Sequence, residues 1–387
     1  MDAIKKRVTL VKCSSYDAQQ VQQALDQLLE LMGGLEWVKP GMRIAVKPNL
    51  LMKKHPDAAC TTHPQLLTAL VLRLKEHGAE IIVGDSPGGP FAEKLLRSVY
   101  QECMMTGVQE AGAYLNWDTA AESDYFEAGK VLKHVDIVRF VKQADAVISV
   151  AKLKTHGMMG YTGAVKNLFG VIPGTLKAEY HYRMPNTETF AAMLVDLAEY
   201  VSPRLSIIDA VVGMEGDGPS HGTPRFVGGL IGADSPHAAD LVGSALMGLQ
   251  PQEVPTLKEA IERGLCPSTP LELEMEGDRI ETLVVPDFKT IPAAKQMSTD
   301  FTKNRVWLRP FGKVVKKVLE QRPELNVALC VGCGECARVC PPKAIHIENR
   351  RPQIDRKKCI RCFCCQELCP KAAMQIHRSL LARMVQK

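Results

Sequence analysis

The residues best suited to chemistry are eight cysteines in two matched runs. Cys330-x-x-Cys333-x-x-Cys336-x-x-x-Cys340-Pro341 is followed by Cys359-x-x-Cys362-x-x-Cys365-x-x-x-Cys369-Pro370, each position repeating at an offset of 29 residues. Three thiolates at such short intervals can wrap one corner of an iron–sulfur cube if the backbone curls tightly, and Gly332 and Gly334 permit that curl. The fourth cysteine of each run, carried away by its proline, is expected to ligate the other cube. That assigns Cys330, Cys333, Cys336 and Cys369 to one 4Fe–4S cluster and Cys359, Cys362, Cys365 and Cys340 to a second. Zinc is the competing reading, but zinc sites more often show two Cys-x-x-Cys pairs at longer separation. The repeat continues through Ala344 and Ala373, Ile345 and Met374, and Ile347 and Ile376, so the segment is a duplicated half-unit. Cys364, beside Cys365, breaks the pattern. It reads as an alternative ligand or, more simply, as a small buried thiol.

A second concentration of reactive side chains is Lys152–Gly174, KLKTHGMMGYTGAVKNLFGVIPG. Read as a Gly-rich loop after a buried strand, it lets Lys152, Lys154, His156 and Lys166 converge on an anionic ligand. Thr155 and Thr162 add hydroxyls, and N–H groups around Gly160 and Gly163 can cradle a phosphate or carboxylate. A solvated basic loop is the plainer alternative. The segment is not a Walker loop, and no G-x-G-x-x-G follows the first expected strand. Lys47-Pro48-Asn49 and Thr61-Thr62-His63-Pro64 follow that strand, with Thr62 placed to cap the next helix. Asp85-Ser86, Asp209 and the turn Glu215–Pro219 are expected at the same sheet edge.

The elements that position these groups alternate. Expected strands are 43–47, 80–84, 146–150, 205–210 and 227–232; expected helices are 17–32, 64–77, 187–200, 236–249 and 254–263. Val21, Leu25, Leu28, Leu29 and Met32 recur at helical spacing. Short buried strands alternating with helices give an α/β fold with a largely parallel sheet, whose ligands bind beyond the C-terminal strand ends. We expect an α/β body over 1–300, a linker over 301–326 containing a short basic helix at Phe311–Leu319, and a small α+β two-cluster domain over 327–380.

Composition is consistent with this. The 387 residues are 46% hydrophobic and 24% charged, which excludes a disordered or collagen-like chain. Nine of the thirteen cysteines lie between Cys330 and Cys369, too uneven for a disulfide scaffold. No apolar run is long enough to span a bilayer. The start is too polar for a signal peptide, so a cytoplasmic location is expected. Residues 301–387 hold 19 Lys and Arg against 6 Asp and Glu, while the first 300 hold 29 against 37. Clusters held by thiolates are anionic, and nearby cations offset them, so the basic tail argues only weakly for nucleic acid.

The cysteine segment resembles the bacterial two-cluster ferredoxin domain over roughly 327–377, although its charge differs from the usual acidic soluble ferredoxin. Lys47-Pro48-Asn49, Thr62-His63-Pro64, Gly84-Asp85-Ser86, Lys152–His156 and Thr162-Gly163-x-x-Lys166-Asn167 resemble the domain-of-unknown-function family numbered 362, over roughly 40–240. That resemblance implies a site built from Lys47, Asn49, His63, Lys152, Lys154, His156, Thr162, Lys166 and Asn167, with no settled reaction. Lys154, His156 and Lys166 are the candidates for the chemistry, and the others for holding a ligand.

Three functions follow. The first is an electron-transfer protein with a redox partner. The second is a reductase or activating enzyme acting on an anionic small molecule, with His156 as proton donor. The third is an assembly factor with structural clusters. A flavin would split electron pairs into single electrons, but nothing in the sequence demands one.

Overall fold

The computed structural model describes residues 6–291, 293 and 321–377. The expected basic helix Phe311–Leu319 and most of the proposed linker lie outside them.

The body is built on strands β1 (Arg7–Lys12), β2 (Arg43–Pro48), β3 (Glu80–Val83), β4 (Tyr114–Leu115), β7 (Ala146–His156), β8 (Gly160–Thr162), β9 (Leu205–Glu215), β10 (Thr223–Ala233) and β11 (Glu274–Gly277), while β5 (Ala121–Tyr125) and β6 (His134–Val138) form a separate hairpin. Among the described residues the main sheet runs β11-β1-β10-β9-β7-β2-β3-β4, with β8 folded back on β7. From β9 through β7, β2 and β3 to β4 the neighbours are parallel. This is the expected α/β architecture.

The central strands β2, β7 and β9 are buried on both faces, as crossover helices require. Ile44 and Val46 of β2 pack with helices Ala18–Leu31 and Pro64–Glu76. Ala45, between them, faces the layer holding helix Thr187–Val201. This is the period-2 alternation of a strand read by two layers. Each fully buried aliphatic side chain here contributes roughly 1.5–3 kcal/mol of transfer free energy.

Several expectations need correction. The β10 strand pairs antiparallel with β9 and β1, because the short connection after Glu215 allows only a hairpin return. Strand β7 does not end at Val150 but runs on to His156, so Lys152, Lys154 and His156 belong to a strand and not to a loop. Their i, i+2, i+4 spacing carried that signal. Helix Pro64–Glu76 is capped by His63, whose Nδ1 accepts from the Gln65 N–H at 3.2 Å. Thr62 instead donates to the Val150 carbonyl at 2.6 Å and accepts from the Asn49 N–H at 2.8 Å. Strands β1 and β11 and helices Glu93–Glu102 and Leu176–Arg183 were not anticipated.

In the tail, the duplication is visible in the backbone. Strand β12 (Arg322–Leu325) pairs with β15 (Met374–His377), and β13 (Ile345–Glu348) with β14 (Arg351–Ile354). One-turn helices Glu335–Arg338 and Cys364–Glu367 occupy equivalent places. Gly332 and Gly334 have φ of 68° and 78°, and their equivalents Arg361 and Phe363 take 59° and 62°. The curl persists in the second half although the glycines do not.

Candidate functional site

The tail sits on the body, and the seam encloses a cavity of about 170 Å³. Ser220 Oγ donates to the Glu367 carbonyl at 2.7 Å, and Gln366 Nε2 donates to the Asp217 carbonyl at 3.2 Å. Phe363, 1% exposed, belongs to a large buried cluster otherwise made of body residues, Phe169, Phe190 and Leu194 among them. Gly88 lies so close to Leu368 that an added Cβ would stand 2.2 Å from its Cδ2.

Seven of the nine body residues singled out in the sequence line this cavity: Lys47, Asn49, Lys154, His156, Thr162, Lys166 and Asn167. The structure adds Asp85, Ser86, Phe169, Lys177 and His181 from the body, and Arg338, Cys364, Glu367 and Leu368 from the tail. Lys177 and His181 lie at i and i+4 of helix Leu176–Arg183, a same-face spacing that was the available signal. Nothing local in the sequence pointed to Glu367.

His63 and Lys152 do not line the cavity. Lys152 Nζ lies 3.0 Å from Asp209 Oδ2 and 2.6 Å from the Tyr16 hydroxyl, and both charged side chains are almost wholly buried. The His63 ring stacks on Tyr16 with centroids 3.6 Å apart, and burial lowers its imidazole to about 4. Lys152 pairs with Asp209 in the regular register of β7 and β9, whereas Lys154 pairs with Met214, so β9 bulges between the two pairs.

The lysines at the cavity differ in how far the protein satisfies them. Lys47 Nζ lies 2.7 Å from Asp85 Oδ1 and also donates to the Pro48 carbonyl and to Asn167 Oδ1. Lys177 Nζ donates to the Ser86 carbonyl, Ser86 Oγ and the Ile172 carbonyl. Burial pushes Lys177 down to about 7, yet three acceptors match the three donors of an ammonium. Lys154 Nζ donates to Asn49 Oδ1 at 3.1 Å and the Cys60 carbonyl at 2.7 Å, with no carboxylate, and burial lowers it to about 8. Lys166 has no hydrogen-bond or ion-pair partner among the described residues; its Nζ sits 4.8 Å from the Phe169 ring centroid and 5.8 Å from that of Phe190. Burial lowers its pKa as well.

His156 has a defined tautomer. Its Nδ1 accepts from the Met158 and Met159 N–H groups at 3.1 and 3.2 Å, so the neutral ring carries its proton on Nε2. That Nε2 lies 3.0 Å from Glu367 Oε1. The two atoms have each other as partner, in an alignment short of a good hydrogen bond, and no second partner among the described residues. Burial depresses His156. Burial alone would raise Glu367, but the adjacent His156 Nε2 and the Lys166 cation hold its carboxyl well below the usual carboxylate range. His181 Nδ1 is buried without a partner, and its ring stacks on Phe190. Unsatisfied polar atoms gathered on one cavity are costly unless a ligand completes them.

The tail's thiols fall into two sets. Cys330, Cys333, Cys336 and Cys369 line one shallow pocket. The thiols that bear electrostatically on Cys365 are Cys362, Cys359 and Cys340, followed by Cys336 of the other set. The Ala344 and Ala373 N–H groups donate to Cys340 Sγ and Cys369 Sγ, each at 3.2 Å, as ligand sulfurs accept. These two groupings are the ones that crossed fourth ligands would need, and the thiols and N–H donors present suit iron–sulfur binding. Cys364 hydrogen-bonds Cys362 and faces the cavity. The scattered Cys13, Cys60, Cys103 and Cys266 are all buried.

A 4Fe–4S dicluster family model matches residues 322–370, which favours iron–sulfur over zinc. The thylakoid-associated protein sll1697 of Synechocystis sp. is 34% identical over 294 residues, covering 73% of this chain and 87% of that protein. The lactate racemase apoprotein of Thermoanaerobacterium thermosaccharolyticum gives a partial likeness, with a TM-score of 0.40 and 14% identity over 63% of this chain and 56% of that one. No helix among the described residues is long and apolar enough to cross a membrane. The model of the domain of unknown function DUF362 matches residues 44–245, spanning the strands and loops that build the body's side of the cavity. The chain is a member of the DUF362 family that carries a 4Fe–4S dicluster domain.

Proposed function

We propose that this protein delivers single electrons to an anionic small molecule held between its body and its iron–sulfur tail. One observation carries the reading. The helix that bears Cys365 supplies Cys364 and Glu367 to the same cavity wall as Lys154 and Lys166, so the ligand pocket and a cluster cradle share a boundary. The clusters, when bound, supply electrons one at a time at a potential set by their surroundings.

The chain's own residues do the rest. Lys154 and Lys166, cations without carboxylate partners, hold the anion. Asn49 orients the Lys154 ammonium, and Thr162 offers a hydroxyl. Phe169 and Leu368 exclude water and strengthen every charge interaction inside. His156, anchored through Nδ1, offers its Nε2–H to the ligand as a hydrogen-bond donor.

The test is anaerobic titration of the full-length protein with inorganic phosphate and with succinate. Lys166→Met should weaken binding of whichever anion binds by about 10- to 100-fold while leaving the visible absorbance of the clusters intact. Equal affinity in wild type and variant would sink the reading.

A further inference from the structure

The outer half of the tail has a feature that the cavity does not use. Val327, Leu329, Val331 and Ile347 are 57%, 42%, 51% and 40% exposed. Single exposed apolar residues need no explanation, but a group around one metal-ligand loop does. Val331 and Ile347 share the shallow pocket of Cys330, Cys333, Cys336 and Cys369. Val327 and Leu329 precede it on the same loop. Arg351 fixes that loop by donating from Nη1 to the Val327 and Cys330 carbonyls, both at 2.9 Å. Cys333, at its centre, is the exposed cysteine of the tail.

The rim is basic. Arg350 and Lys371 are exposed beside the loop, opposed by Glu348. Glu335 is already neutralised by Arg338 at 2.6 Å. Across 321–377 there are ten Lys and Arg against five Asp and Glu.

We infer that this loop is the docking surface for a small acidic one-electron carrier protein. The inference rests on reading the tail as an electron conduit, but not on the cavity. An apolar centre lets two surfaces meet without water between them, and a charged rim steers and orients the encounter. A single electron crossing such a contact makes and breaks no bond. A lipid surface would also accept an apolar, basic loop. The placement of a cluster ligand at the centre of the patch favours a redox protein.

The test uses the full-length protein with its clusters and an acidic plant-type [2Fe–2S] ferredoxin, titrated calorimetrically without oxygen. Affinity should fall at least about 10-fold between about 0.02 M and about 0.3 M salt. Arg350→Glu and Leu329→Ser should each weaken it about 10-fold, with cluster absorbance unchanged. Salt-independent binding, or unchanged affinity in both variants, would overturn the inference. So would binding to phosphatidylglycerol vesicles that both substitutions abolish while ferredoxin affinity stays the same. A loop variant that loses the ferredoxin but keeps the anion affinity of the cavity separates this surface from the reading of the cavity. A wild-type preparation without iron would sink the conduit itself.

Discussion

The two halves of the tail share one backbone and face different surroundings. Gly334 of the first corresponds to Phe363 of the second, Glu335 to Cys364, Arg338 to Glu367 and Val339 to Leu368. Both members of each of the first two pairs keep their conformation, with Gly334 and Phe363 left-handed and the next residue opening a one-turn helix. The first half turns Cys333 to solvent, whereas the second buries Cys362, Phe363 and Cys364. The lesson is that the cysteine spacing dictates the curl, while the side chains between the cysteines decide what the curl is docked against. A phenylalanine tolerates left-handed φ only where other contacts over-determine it, and the body's apolar socket supplies them.

The largest expected difference comes from ligand removal. Cys333→Ser should cut iron from about eight to about four per chain and leave the tail seated. Cys362→Ser should lose the inner cluster and the seat together, read as faster proteolysis between body and tail; equal behaviour of the two variants would break the comparison. Next, Phe363→Ala should destabilise the protein by about 3–5 kcal/mol, the cost of emptying a buried aromatic site. Its counterpart Gly334→Ala should cost only about 1–2 kcal/mol of left-handed strain. Denaturant unfolding of both variants checks the difference.

A smaller effect is set by pH and belongs to the inner half alone. Burial lowers Lys154 to about 8, so it is an ammonium below that pH and an amine above it. Anion affinity of the cavity should therefore fall as pH rises through about 8, with the midpoint moving upward as ligand is added. Flat affinity between pH 7 and about 9 would remove Lys154 from the site. The smallest effect is expected from Cys364→Ala. Iron content should stay at about eight per chain, because the equivalent position in the outer half is Glu335 and no ligand is missing there.

Much of this was legible from residue types. The cysteine offset shows both half-units, and Lys154, His156 and Lys166, all within fifteen residues of one another, do line one cavity. Lys152 was misplaced with them. Strand alternation predicts one face, and no local pattern reveals that Lys152 has Asp209 as its cross-strand partner. Thr62 and His63 both suit a helix start, and only the neighbouring Val150 carbonyl and Asn49 N–H show why Thr62 is otherwise engaged. Lys177 and His181 were missed because a two-turn helix has too little periodicity to stand out. Glu367 and Leu368 were missed for a deeper reason: which surface a tail docks on is decided by non-local complementarity.

The buried seat of Phe363 also orders events during biogenesis. Ribosomal synthesis delivers the body first, and domains generally fold as units in that order. A body that folds as it is made would present the apolar cluster that receives Phe363 before the second cysteine run leaves the ribosome. Iron delivery to the inner cradle then becomes a late maturation step, one that inspects the fold of everything made before it.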